Sequence, residues 1–279
     1  MITKESFIID GSRNKKILID INFNHNFKNK PIVIFSHGFK GFKDWGPFNK
    51  MAEKFAEKNF FFIKFNFSYN GTSIENPNDF VDLDAFGNNN FSIELDDLNL
   101  VINWINDNSK FSNEIDTNNI NLLGHSRGGA ISILKSNEDS RINKVISWAS
   151  PSNFINRMDE SKLDTWKKSG VAYIFNSRTN QNMPLFYQFY EDCVTNKKRI
   201  DIENACRNLT IPHLAIHGTE DPTVDIKDVN DFKNWNPKTI VHKIKDANHV
   251  FGVSHPFNEK SFPSHFIKVL EKTFEFLET

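Results

Sequence analysis

The chain has 279 residues, a net charge of −1 and a pI of about 6.8. Hydrophobic residues make up 38% of it and charged residues 25%, which is typical of an ordinary globular protein. The sequence has no basic excess of the kind that nucleic acid or an anionic membrane attracts, so we expect neither as a partner. The longest apolar run, Phe60–Ile63, is too short to span a bilayer.

The first residues contain no apolar segment, so we expect no signal peptide. Two cysteines, Cys193 and Cys206, are too few for a disulfide framework. We therefore expect both to be reduced thiols in a cytoplasmic protein, with a Cys193–Cys206 bridge as the alternative.

Apolar segments alternate along the chain with segments of helical periodicity, which predicts an α/β fold with a mostly parallel sheet flanked by helices. An opening hairpin is predicted from residues 8–11 and 17–23. Further strands are predicted at 32–36, 60–67, 120–123, 145–149, 213–217 and 240–244. Helices are predicted at 48–58, at 92–106 with Ser92 as its cap, from the 124–129 segment to about 137, at 224–232 and at 262–277. An Asn-rich loop is predicted at 87–90.

The segment 150–208 interrupts this rhythm. We interpret it as a cap inserted over the sheet of a single domain that spans residues 1–279. It is rich in aromatic residues: Phe154, Trp166, Tyr173, Phe175, Phe186, Tyr187, Phe189 and Tyr190.

Gly124-His125-Ser126-Arg127-Gly128 matches the G-x-S-x-G nucleophile elbow. A serine on a tight strand-to-helix turn needs small residues two before and two after it. The predicted strand before the motif and the helix after it provide that context. The alternative is a loop in which this Gly-Ser-Gly pattern occurs by chance. A dinucleotide-binding fingerprint is excluded because the G-x-G-x-x-G spacing is absent. We predict Ser126 as the nucleophile.

His37-Gly38-Phe39 follows a predicted strand, where a backbone N–H can point at the same oxyanion as the amide that follows the serine. We predict the N–H groups of Phe39 and Arg127 as the two donors. An ordinary turn at the end of the strand is the alternative.

An acid and a base are predicted after the last two strands. Asp221 follows His217-Gly218, with Glu220 and Asp225 as competitors, or it caps a helix that begins at Pro222. Of the nine histidines, His249 lies in the loop directly after the last predicted strand, whereas His255 further along falls in a polar loop context. We predict Asp221 and His249 as partners of Ser126. We predict no metal site, since His213 and His217 are too far apart along one strand to share an ion.

The chain order Ser126, Asp221, His249 is the order of α/β-hydrolases. The sequence resembles this superfamily, and within it the dienelactone-hydrolase, prolyl-oligopeptidase-like and cinnamoyl-esterase-like serine hydrolases. The resemblance lies in residues 37–39, 65–71 and 248–251, in the elbow around Ser126 and in the His217–Asp221 segment. It implies an α/β-hydrolase fold with an inserted cap.

The resemblance implies a serine hydrolase that forms an acyl-enzyme on a small-molecule acyl substrate and needs no cofactor. A carboxylic-ester hydrolase is the first reading, and a peptidase, amidase or thioesterase would use the same three residues. A non-catalytic binding protein on this fold is less favoured because all three residues are present. An aspartate-nucleophile enzyme is disfavoured by Ser126.

The aromatic residues of the cap either pack it onto the sheet or line an apolar acyl pocket, which Met183–Leu185 would extend. The second interpretation predicts faster hydrolysis of medium-chain or aryl acyl esters than of acetyl esters, with Phe186 and Tyr187 in the pocket wall.

Overall fold

The computed structural model describes residues 1–26, 28–155 and 158–279. Its central sheet has eight strands in the order β1-β2-β4-β3-β5-β6-β9-β10. These strands are β1 (Ile2–Asp10), β2 (Lys16–Asn24), β3 (Lys30–Ser36), β4 (Phe61–Phe65), β5 (Ile115–His125), β6 (Ile142–Trp148), β9 (His213–Gly218) and β10 (Ile240–Ile244).

The pairings of β1 with β2 and of β2 with β4 are antiparallel, and those from β4 through β10 are parallel. The sheet is therefore mostly parallel, as the sequence predicts. Its β1–β2 hairpin begins at Ile2, six residues before the predicted start.

Helices cover both faces of the sheet, and each face has its own apolar core. They are α1 (Phe48–Glu57), α2 (Leu83–Asn88), α3 (Phe91–Asn106), α4 (Arg127–Glu138), α5 (Leu163–Ser169), α6 (Gln188–Thr195), α7 (Ile202–Asn208), α8 (Ile226–Trp235) and α9 (Ser264–Glu278). In the described part of the chain, no helix has the length and apolarity needed to cross a membrane.

Two local predictions are wrong around the start of α3. Helix α2 occupies part of the predicted Asn-rich loop, because buried Phe86 anchors it. Asn90, not Ser92, caps α3, since the Asn90 side chain accepts a hydrogen bond from the N–H of Ile93.

The chain between β6 and β9, which we call the insertion, contributes no strand to the central sheet. It contains α5, α6, α7 and a two-stranded antiparallel sheet of β7 (Val171–Asn176) and β8 (Gln181–Phe186). Residues 156 and 157 of the predicted cap lie outside the described residues. Cys193 and Cys206 are buried free thiols, so the alternative bridge is absent.

Seven of the eight aromatic residues of the insertion fall into three groups, and Phe186 packs over Gly87. Phe154 and Phe189 are buried beside Ser126, whereas Tyr187 contacts both Trp166 and Tyr190. Tyr173 and Phe175 of β7 are 63% and 55% exposed, so neither packing nor pocket lining describes them.

Candidate active site

Ser126 lies at the sharp turn between β5 and α4. Its φ of 55° is in the left-handed region, which costs a non-glycine residue conformational strain. Its backbone N–H donates to the Trp148 carbonyl at 2.7 Å, which anchors the turn to β6. The strained backbone lifts the hydroxyl above the carboxyl end of the sheet.

The two glycines of the elbow are required by close backbone approach. A Cβ atom on Gly124 would lie 2.1 Å from the Gly128 carbonyl oxygen, and one on Gly128 would lie 2.2 Å from that of Ser36. Neither position has room for a side chain. Strand β3 and helix α4 therefore pack closely around Ser126.

The structure brings Ser126, His249 and Asp221 into one row of hydrogen bonds. His249 Nε2 lies 3.0 Å from Ser126 Oγ, and His249 Nδ1 lies 2.8 Å from Asp221 Oδ2. The imidazole is 15% exposed, whereas the Asp221 side chain is fully buried. The three residues follow three different strands, β5, β9 and β10, whose carboxyl ends meet at this edge of the sheet.

Asp221 has a full set of hydrogen-bond donors. Its Oδ1 accepts the backbone N–H groups of Thr223 at 2.8 Å and Val224 at 2.9 Å, and its Oδ2 also lies 3.3 Å from His217 Nε2. Burial alone would raise the pKa of Asp221, but hydrogen bonds from His217 and His249 hold it well below its usual range. The carboxylate is therefore ionised beside His249.

The two competing acids take other positions. Asp225 caps α8, since its side chain accepts the Lys227 N–H at 2.8 Å. The backbone N–H of Glu220 donates to the Ala247 carbonyl at 3.0 Å, which ties the Asp221 loop to the His249 loop. The predicted helix start at Pro222 is wrong, because Asp221 instead closes a turn onto Thr223 and α8 begins at Ile226.

Two further histidines support the row, and sequence reasoning assigned neither of them this role. His125 Nε2 donates to the His249 carbonyl at 2.9 Å, and His37 Nδ1 donates to the Gly38 carbonyl. Burial lowers the pKa of His125 to about 3 and that of His37 to about 4. Both rings are thus neutral and fix loops that border Ser126.

The two residues predicted to supply oxyanion donors, Phe39 and Arg127, line a cavity together with Ser126. Arg127 is the first residue of α4, and its N–H is one of the initial helix amides that lack an acceptor within the helix. Phe39 follows β3 and lines the same cavity as Ser126 and Arg127. The positive end of the α4 dipole points at this position.

The Arg127 side chain is part of a cavity wall that the sequence did not reveal. It lies 3.2 Å from buried Glu94 of α3, and its guanidinium stacks over Phe39 at 4.2 Å and Phe91 at 5.0 Å. Burial raises the pKa of the Glu94 carboxyl, although Arg127 and Asn89 act against this. An acid at a core position of a predicted helix was the available signal for this pair.

Two cavities meet at Ser126. The first, which we call the apolar cavity, has a volume of about 270 Å³. The second has a volume of about 230 Å³, and we call it the polar cavity after Lys40, Asn176 and Arg178, which line it together with apolar residues. The apolar cavity is walled by Phe39, Phe91, Pro151, Phe154, Met158, Ile174, Leu185 and Phe189 with Ser126, Arg127, Thr223 and Val224.

Phe186 and Tyr187, which the sequence predicts in this wall, lie elsewhere. Phe186 packs over Gly87 of α2, and Tyr187 contacts Trp166. Among the described residues, no cluster of side chains could hold a metal ion.

The sheet order, the elbow and the strand-end loops define an α/β-hydrolase fold. The BD-FAE family model matches residues 19–236, and the chain belongs to this family of esterase-like α/β-hydrolases. A search of curated protein sequences finds no match.

Solved structures are similar over the whole chain. Est1E from Butyrivibrio proteoclasticus with ferulic acid bound is 16% identical, with a TM-score of 0.74 and 98% of each chain covered. The esterase domain of a Rhodothermus marinus protein is 15% identical, with a TM-score of 0.63 and coverage of 99% and 97%. A Pyrococcus furiosus esterase is 16% identical, with a TM-score of 0.64 and coverage of 99% and 92%. These similarities support the fold.

Proposed function

We propose that the chain hydrolyses carboxylic esters by two-step acyl transfer, with Ser126 as nucleophile, His249 as general base and acid, and Asp221 as the residue that orients His249. The observation that carries this proposal is the row of hydrogen bonds, 3.0 Å from Ser126 to His249 and 2.8 Å from His249 to Asp221. Both distances are within the reach that proton transfer requires.

In the first step, Ser126 Oγ attacks the ester carbonyl while His249 Nε2 takes its proton. The carbonyl oxygen becomes an oxyanion, which accepts hydrogen bonds from the N–H groups of Phe39 and Arg127. The tetrahedral intermediate then collapses. The ester oxygen leaves as an alcohol with the proton from His249, and the acyl group remains on Ser126.

In the second step, water attacks the acyl-enzyme as His249 removes a water proton. The bond between the acyl carbon and Ser126 Oγ then breaks, Oγ takes that proton from His249, and the carboxylic acid leaves. Asp221 accepts the N–H of His249 Nδ1 throughout. Its ionised carboxylate fixes the tautomer with Nε2 free and stabilises the imidazolium that forms. Hydrogen bonds from His249 Nδ1 and from the N–H groups of Thr223 and Val224 hold the carboxylate in one orientation.

We further propose that the acyl group is aromatic or of medium chain length and occupies the apolar cavity. Phe91, Phe154 and Phe189 form one face, and the first two rings stack at 3.6 Å between centroids. A volume of about 270 Å³ is sufficient for one aryl acyl group. The ferulic acid bound to Est1E is an acyl group of this kind, which supports the proposal.

The test is labelling with a fluorophosphonate probe, followed by peptide mapping. We expect one adduct on Ser126, no labelling of Ser126→Ala, and no turnover of aryl acyl esters by that variant. Ser147→Ala is the matched control, since Ser147 is a buried serine of β6 that bonds His213. An adduct on another serine, or ester turnover by Ser126→Ala at the wild-type rate, would overturn the proposal.

A further inference from the structure

Both cavities have Ser126 in their lining, so the two halves of an ester cleaved there would extend into different cavities. His249 lines the polar cavity together with Ser126. Because His249 must protonate the departing oxygen, the alcohol part of the substrate has to leave on the side that His249 lines. The acyl part then occupies the apolar cavity, and the polar cavity receives the alcohol.

Two cations line the polar cavity. Lys40 follows β3, and Arg178 lies in the turn between β7 and β8 of the insertion. The Arg178 guanidinium stacks over Phe42 at 5.3 Å and Phe80 at 5.4 Å, which fixes its plane.

Neither cation forms an ion pair with a carboxylate of the described residues. Lys40 Nζ donates a hydrogen bond to the Phe175 carbonyl at 3.5 Å. Asp79 favours the charged form of Arg178 but is too distant to pair with it, and burial lowers the pKa of Lys40 and of Arg178. An anion in the cavity would offset this cost of burial. Lys40 is half-buried and Arg178 is exposed, so this cost is partial and both charges are open to a ligand that enters from solvent.

A buried amide supplies an independent observation. Asn176, at the end of β7, is 5% exposed and lines the same cavity. Its Nδ2 has no acceptor among the described residues. Buried donors are nearly always satisfied in folded proteins, so we expect an oxygen of water or of a bound ligand to be the acceptor for this group.

We infer that the polar cavity is a subsite for an anionic group on the alcohol part of the ester, so that the substrates are acyl esters of hydroxy acids. This inference rests on the proposed hydrolysis at Ser126. The planar guanidinium of Arg178 can pair with both oxygens of a carboxylate, and Lys40 adds a second positive charge.

The chemistry is unchanged by this group. The bond between the carbonyl carbon and the ester oxygen breaks, and the ester oxygen takes the proton from His249. The hydroxy acid leaves with its carboxylate intact. Water then supplies the oxygen and the proton that complete the released acyl acid.

The experiment compares the cinnamoyl ester of glycolate with the cinnamoyl ester of glycolamide, which differ by one charge and have the same shape. We expect the ratio of kcat/KM for the charged over the neutral ester to fall about tenfold in Arg178→Gln and in Lys40→Gln. The loss falls mainly on KM for the charged ester. Lys268→Gln, an exposed residue of α9, makes the same change in net charge and should leave the ratio unchanged.

The labelling rate with a neutral fluorophosphonate verifies that each variant is folded with a reactive Ser126. A ratio that stays at the wild-type value in both variants overturns the inference, while hydrolysis of both esters leaves the proposed function standing. A wild-type protein that labels at Ser126 yet hydrolyses neither ester overturns both proposals.

Discussion

The carboxyl edge of the sheet and the insertion contribute different parts of the site. At the sheet edge, Ser126, Asp221 and His249 follow strands whose backbone hydrogen bonds fix their relative positions. In the insertion, Phe154 and Phe189 are held by side-chain packing. A change at the sheet edge should therefore slow every ester, whereas a change in the insertion should alter which ester is preferred.

The largest effect is expected at His249, the proposed base. His249→Ala should lower kcat for all esters by about 10⁴- to 10⁶-fold, because nucleophile activation and leaving-group protonation are both lost. The comparison is kcat for an acetyl and a cinnamoyl ester, with His242→Ala of β10 as the control. Activity of His249→Ala within tenfold of wild type would remove His249 from the proposed mechanism.

A smaller loss is expected at Asp221, the proposed partner of His249. Asp221→Asn keeps the shape but removes the charge that supports the imidazolium and selects the tautomer, so kcat should fall about 10²- to 10⁴-fold. Asp225→Asn should change kcat by less than about threefold, because an asparagine also caps α8. The measurement is the kcat of both variants for one ester, and a larger loss in Asp225→Asn would contradict our assignment.

The position of Ser126 at the sheet edge can be predicted from the sequence because it depends on short-range geometry. The elbow requires Gly124 and Gly128 around Ser126, and their spacing is visible in the sequence. The acid is harder, since Glu220, Asp221 and Asp225 lie in one loop and their distances to His249 follow from the register of β9 against β10.

The insertion is predicted poorly because long-range packing decides it. Composition alone cannot separate Phe189, which lines the apolar cavity, from Phe175, which is exposed. Helix α2 was predicted as a loop because Asn and Gly are poor helix formers, and the burial of Phe86 overrides that preference. The sequence also cannot show that Arg178 forms no ion pair among the described residues, because this depends on which carboxylates the fold brings near it.

Acid should weaken the sheet more than the insertion, whose residues 149–212 contain no histidine. His213 of β9 is 1% exposed, and burial lowers its pKa to about 3 from an ordinary 6.5. Below about pH 6.5, His213 therefore binds a proton in the unfolded chain but stays neutral in the folded chain. The stability from neutral His213 is complete above that pH and declines as the pH falls towards 3.

We therefore expect the unfolding free energy to fall from pH 7 to pH 5, and His213→Gln to reduce that fall by about 2 kcal/mol. Urea denaturation of the variant and of the wild type at the two pH values measures the unfolding free energies. The variant can be less stable at pH 7 without affecting the test, since only the pH dependence is compared. Equal falls in both proteins would show that His213 does not carry the acid sensitivity.

The smallest effect is expected in the insertion. Phe189→Leu replaces a ring in the lining of the apolar cavity with a smaller branched side chain, so the preference for a cinnamoyl over an acetyl ester should fall about tenfold in kcat/KM. Phe154→Leu should act in the same direction, because its ring stacks on Phe91 in the same wall. Acetyl esters do not reach these rings, so their kcat/KM should change less than that of cinnamoyl esters.

Tyr187→Leu is the matched control, since Tyr187 lies two residues from Phe189 and contacts Trp166 and Tyr190. It should leave the cinnamoyl-to-acetyl ratio within about twofold of wild type, because a ring outside the wall contributes no contact with the acyl group. If Tyr187→Leu lowers the ratio as much as Phe189→Leu does, the insertion acts through its overall stability. The division between a sheet edge that performs the chemistry and an insertion that selects the acyl group would then not hold.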